Sequence, residues 1–149
     1  MKIVRAGDNF SCQLGKGEQI LLWNLLKLYP CISSAAQPGS GRKRNHSKEL
    51  LEEALAEQRR ENKKRLEMFL REKTRLEAAE KNFRFSLSTA ELEWLLQILN
   101  DVRVGNWILL GAPEEKLELK LLDEKNAPYF WAMEMAGHFE MQILSALNA

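Results

Sequence analysis

The chain is poor in the residues that staple or anchor a fold. Its 149 residues include two cysteines, Cys12 and Cys31, with no Cys-x-x-Cys spacing, and two histidines. Neither a disulfide framework nor a zinc site is therefore indicated. No apolar run approaches the roughly 20 residues that cross a bilayer, since the densest, Ile20 to Ile32, is broken by Asn24 and Lys27. Lys2 is followed at once by Ile3, Val4 and Arg5 with no long apolar segment behind it, which argues against a cleaved secretory leader and for a cytoplasmic protein without a membrane partner. An excess of one charge is missing too. Against 22 Lys and Arg stand 21 Asp and Glu, a net charge of +1, so bulk charge points to no polyanion or lipid surface. Chemistry-bearing motifs are also lacking. Gly15-Lys16-Gly17 has too little of the P-loop spacing and reads as a strand-to-helix turn. No nucleophile stands in a recognisable elbow, and no carboxylate pair sits in an apolar context. The expectation is a non-enzymatic protein with no cofactor.

What is present is a foldable composition, 45% hydrophobic and 29% charged, at a length suited to a single domain over 1–149. Lys2 to Ala6 and Asn9 to Leu14 flank Gly7-Asp8, a pair that suits a two-residue hairpin turn. Ile20 to Tyr29 is apolar around most of its circumference and predicts a buried helix, stopped by Pro30. Ser33 to Gly41 is rich in turn formers, so residues 34–47 read as a flexible loop, with Ser47 able to cap the next helix. Residues 48–81 contain no Gly and no Pro and are crowded with Glu, Lys, Arg, Leu and Ala: one long charged helix, or two nearly collinear ones. Leu51 and Leu55 at one end, and Leu66, Phe69, Leu70 and Leu76 at the other, predict that both ends pack while the polar centre, Glu57 to Arg65, bridges solvent or meets a second subunit.

A repeat organises the remainder. Shifting the chain by 73 residues aligns Asn9-Phe10 with Asn82-Phe83, Leu14 with Leu87, Glu18 with Glu91, Leu22 with Leu95 and Leu26 with Leu99, six identities in 18 positions. Chance at ordinary residue usage gives about one. In the second copy Phe83, Phe85 and Leu87 alternate as a half-buried strand does, and Ser88-Thr89-Ala90-Glu91 is a capping box. Gly15 takes the cap position in the first copy. Each copy is strand, tight turn, helix. An isolated pair of strands is marginal in water, so the two copies are expected to pair their strands and pack their helices about an approximate two-fold axis. The predicted fold is mainly α with a small antiparallel β-sheet: two pseudo-symmetric strand-turn-helix units, one long charged helix, and a C-terminal helix announced by Asn126 and Pro128.

Leu99-Asn100-Asp101-Val102-Arg103, preceded by an apolar helix that starts at a strand-turn and followed by an aromatic C-terminal helix, resembles the Leu-Asn-Asp-x-Arg stretch of the bacterial domain-of-unknown-function family two thousand and seventeen. The resemblance covers Phe83 to Leu147. It departs where the family carries a Gly a few residues after the Arg, since Gly105 and Asn106 come early here. The resemblance implies no established activity. It does imply a regulatory setting or a link to Clp-type proteolysis, because such genes are often found near the Clp protease adaptor in actinobacteria and some members are labelled transcriptional regulators.

Three groups of residues are candidates for function. Asn100, Asp101 and Arg103 could meet a ligand carboxylate, or clamp a helix end to its neighbour, and the clamp is the better reading because buried charges are usually paired. Trp131, Met135, Phe139 and Met141 occupy more than one helix face and suggest a protein interface, a homodimer contact among them. Glu134 and His138 are four apart but too few to make a metal site. Arg59, Arg60, Lys63 and Lys64 could contact phosphates. Residues 42–81 carry 13 basic against nine acidic side chains, whereas 82–149 carry five against ten. Yet Glu is interleaved throughout and no aromatic residue stands among the basic ones to stack bases. The leading expectation is action through protein-protein contact, with a nucleic-acid-binding regulator, or an enzyme using Asn100, Asp101 and Arg103, as alternatives.

Overall fold

Gly7 takes φ +64° at the first hairpin, and Asp8 does not share the positive φ, so one Gly reverses the chain. Strands β1 (Lys2–Ala6) and β2 (Asn9–Leu14) therefore pair as expected. A computed structural model describes residues 1–31, 46–75, 83–115 and 122–149. The remaining elements are helices α1 (Lys16–Leu26) and α2 (His46–Arg75), strand β3 (Phe83–Ser88), and helices α3 (Thr89–Leu109) and α4 (Ala127–Leu147). The protein is mainly helical, with a three-stranded antiparallel sheet in the order β1-β2-β3. The flexible loop expected over 34–47 falls outside the described residues up to position 45. Helix α2 begins at His46, so Ser47 lies in its first turn instead of capping it. The anchor expected at Leu76 and the helix end expected at 81 lie outside the described residues.

The register of β2 on β3 carries the internal symmetry. Phe10 pairs with Leu87, Cys12 with Phe85 and Leu14 with Phe83. Under the 73-residue shift Phe10 corresponds to Phe83, Leu14 to Leu87 and Cys12 to Phe85. Each rung thus maps onto another rung, and the rung Cys12–Phe85 maps onto itself. A pseudo-two-fold axis runs between those two residues. Both helices leave their strands in the same way: the cap residues Gly15 and Ser88 have φ, ψ of −69°, 164° and −71°, 165°. The Glu18 and Glu91 carboxylates each accept the cap residue's own N–H at 3.2 Å. Ser88 adds the other half of the box, its Oγ accepting from Glu91 N at 3.1 Å, which Gly15 has no side chain to do. The matched positions Leu22 and Leu95, and Leu26 and Leu99, are buried together beneath the sheet.

Alternation places Phe10, Cys12, Leu14, Phe83, Phe85 and Leu87 on the inner face. Helices α1 and α3 pack there, and α4 packs across α3, α1 and β1. Helix α1 is less enclosed than its composition suggests. Leu22, Trp23, Leu25 and Leu26 are buried, but Ile20 and Leu21 are exposed, as is Leu28 just past its end, because its neighbours cover one side only. Helix α3 ends where Gly111 takes φ +91°. Gly111 N–H donates to Ile108 O at 2.9 Å and Ala112 N–H to Trp107 O at 3.0 Å, the paired bonds of a Schellman motif.

Helix α2 docks differently from the expectation that both ends pack around a solvated centre. Leu51 is 60% exposed and Leu50 54%, and Leu55 is half-buried. The centre and the C-terminal half do the packing. Trp94 Nε1–H donates to Asn62 Oδ1 at 3.2 Å, and Asn62 Nδ2–H to the Tyr29 hydroxyl at 3.3 Å. The Arg65 guanidinium lies over the Trp94 ring at 4.3 Å. Phe69 meets Trp23, Phe85 and Trp94. Buried Lys73 donates to Ser86 O at 3.4 Å, covering part of the open edge of β3, where a bare strand would invite pairing.

Candidate functional site

Two residues along an α-helix turn the side chain through about 200°, so Asp101 and Arg103 must face opposite sides of α3. Asp101 Oδ1 accepts the Cys31 backbone N–H at 3.1 Å and so ties α3 to the segment leaving α1. Asn106 Nδ2–H donates to Val102 O at 2.7 Å and points at Cys31 Sγ at 3.8 Å. The Cys31 thiol in turn donates to Leu28 O at 3.3 Å. On the other side Arg103 Nε–H donates to Glu140 Oε1 at 3.1 Å and its Nη2–H to Asn100 Oδ1 at 2.9 Å. Its stem crosses α4 at Gly137, where an added Cβ would stand 3.5 Å from Arg103 Cδ. The three residues that sequence brought together form two separate ties, one from α3 to the exit of α1 and one from α3 to α4.

Each tie borders a concavity. The first is a cleft of about 190 Å³ lined by Tyr29, Leu55, Gln58, Arg59, Asn62, Gln97, Ile98 and Asp101. Burial pushes the Asp101 carboxyl above its ordinary value, against the opposing pull of the Cys31 N–H and the Arg59 charge. Burial also pushes the Tyr29 hydroxyl up, while its bond to Asn62 works the other way. Sequence reasoning missed Tyr29, Asn62 and Gln97. Nothing local marks them, because the cleft is assembled from α2, α3 and the segment that follows α1.

The second concavity is a groove of about 520 Å³ beside α4, lined by Arg103, Met133, Glu134, Gly137, His138, Glu140, Met141 and Leu144. Another of about 520 Å³ lies on the opposite flank of the helix and shares His138 and Met141 with it. Glu140 has its carboxyl pushed up by burial, more than the Arg103 charge and hydrogen bond pull it down. Of the expected interface residues, Trp131 is 51% and Met141 73% exposed. Phe139 is a correction: it is 1% exposed and belongs to the core, and Met135 is half-buried against that core. Most of α4 is apolar, so composition alone could not say which stripe turns inward. Glu134 and His138 line the groove, and no group of three or more His, Cys, Asp or Glu gathers into a metal site among the described residues.

No family model, curated protein or solved structure matches the chain. The functional reading therefore rests on geometry.

The four basic candidates of α2 separate in three dimensions. Arg59 is half-buried and turns into the cleft. Arg60 pairs with Glu57 one turn earlier, Nε to Oε2 at 3.1 Å. Lys63 and Lys64 remain exposed. Among the described residues no helix is long and apolar enough to cross a membrane.

Proposed function

We propose that the protein works through protein-protein contact at the outer face of α4, and that the occupant of this face is a second copy of the chain. The observation that carries the reading is the exposure of Trp131 and Met141 on a helix flanked by two grooves of similar size. Exposed aromatic and methionine side chains are enriched at interfaces. A ridge between two grooves is self-complementary, because an antiparallel copy related by a two-fold axis sets each ridge into the other's groove. Charge favours the same partner. Arg103, bonded to Glu140, and exposed Glu134 line one groove, so the face carries both signs of charge and two copies meet without repulsion of a single sign. A regulatory or proteolysis-linked setting rests on the resemblance of Leu99 to Arg103 alone.

Sedimentation equilibrium of the full chain tests this. The expected result is a reversible dimer that Met141→Glu weakens by at least about tenfold, the effect of burying one unpaired charge. A strict monomer at the highest soluble concentration overturns the second copy as occupant. Retained dimerisation in a folded Met141→Glu, Trp131→Glu double variant overturns the α4 face.

A further inference from the structure

We infer that the cleft between α2, α3 and the segment that follows α1 is a binding site for a small zwitterion, a free α-amino acid whose carboxylate meets Arg59 and whose ammonium meets Asp101. Opposite charges face one another across this opening without joining. Arg59 and Asp101 both line it, yet no nitrogen of Arg59 comes within 4.0 Å of a carboxylate oxygen of Asp101. Arg59 makes no hydrogen bond to any described residue. Asp101 spends Oδ1 on the Cys31 N–H and keeps Oδ2 for another donor. Two half-buried groups of opposite sign, one with a carboxylate oxygen to spare and the other with no hydrogen bond to a described residue, can each take a further partner. A molecule bearing one group of each sign supplies both.

The rest of the wall suits the same guest. Tyr29 is fixed by the chain of bonds from Trp94 through Asn62, and its hydroxyl, already accepting from Asn62, has its own proton left to donate. That proton fits a second carboxylate oxygen beside the planar fork of Arg59. Leu55 and Ile98 offer apolar wall to an aliphatic side chain, and Gln58 and Gln97 stand at the rim. A volume of about 190 Å³ is smaller than the roughly 300–1,000 Å³ of sites that hold drug-sized ligands. It suits a guest of the size of an amino acid. The polar groups come from α2, α3 and the segment that follows α1, held by core packing, so the site exists before the guest arrives, which lowers the entropic cost of binding.

Isothermal titration of the full chain with the free α-amino acids tests the inference, with the N-acetyl and the carboxamide form of each binder as controls. The expected result is saturable binding of at least one aliphatic amino acid, weakened at least about tenfold when either charge is blocked. Arg59→Gln should abolish discrimination between acid and carboxamide. Asp101→Asn keeps a carbonyl oxygen for the Cys31 N–H and should abolish discrimination between free and acetylated amine. No saturable binding by any amino acid at millimolar concentration overturns the inference. So does binding that a folded Arg59→Gln variant leaves unchanged. The cleft and the α4 face share no lining residue, so either reading can fail while the other stands.

Discussion

Asp101 and Arg103 owe their separate tasks to the helical step alone: one side chain faces α2 and the segment that follows α1, the other α4. Such ties have a pH dependence whose sign is set by their surroundings. Burial raises both Asp101 and Glu140 above their ordinary values of 3.8 and 4.5, so the folded chain holds these protons more tightly than the unfolded chain does. Their contribution is most favourable below those values and is lost as pH rises through the higher folded ones. Asp101→Asn removes one of the two terms. Urea unfolding of this variant from about pH 4 to pH 7 is expected to show a smaller decline in stability with rising pH than the parent chain, the Glu140 term remaining. An equal or steeper decline would contradict the assignment. The sequence suggested one clamp at a helix end, whereas Asp101 and Arg103 lie inside α3 and make two separate ties. Their partners Cys31 and Glu140 were not legible, because they lie 70 and 37 residues away and no local pattern links them.

The elements show how far pattern reading reaches. The strand-turn-helix repeat was visible because identities fall at positions that do the same job twice: Leu14 and Leu87 facing inward, Glu18 and Glu91 closing a cap. The centre of α2 was misread because its contact stripe passes through Arg59, Asn62 and Arg65, which look solvated until Trp94 and Tyr29 come within reach. The unequal caps yield a prediction. Ser88→Ala should cost about 1 kcal/mol, within the 0.5–2 kcal/mol range for cap removal, whereas Gly15→Ser should gain a few tenths of a kcal/mol by completing the first box. An added Cβ at Gly15 meets Glu18 Oε1 at 3.7 Å, an ordinary contact. Urea unfolding of the two variants measures both, and a loss of stability in Gly15→Ser would show that the two helix starts are not equivalent.

Across the whole molecule, order should track enclosure. Buried Leu22, Leu26, Leu95 and Leu99 sit beneath the β2–β3 ladder, whereas Leu50, Leu51 and their neighbours at the start of α2 project into solvent. Native-state hydrogen exchange is expected to find amides of Leu22 to Leu26 and Leu95 to Leu99 opening only with global unfolding, and those of 50–54 opening locally at far lower free energy. Equal protection in both regions would mean that α2 is held along its full length. The overall architecture was readable because duplication fixes how two halves must meet. The placement of α2 was not, since nothing in its own composition says which groove it will lie in.

The rung Cys12–Phe85 has a consequence of its own. The rungs on either side of it have twins, Phe10–Leu87 in Leu14–Phe83 and Ser11–Ser86 in Gln13–Arg84, so an enlarged side chain on one can be offset by trimming its twin. The central rung has none, and perfect copying would set like against like there, two aromatic rings competing for one space or two thiols leaving a hollow. Small opposite large, both buried, fills the middle once. The departure from sameness at that point is what lets two nearly equal halves close without a gap or a collision.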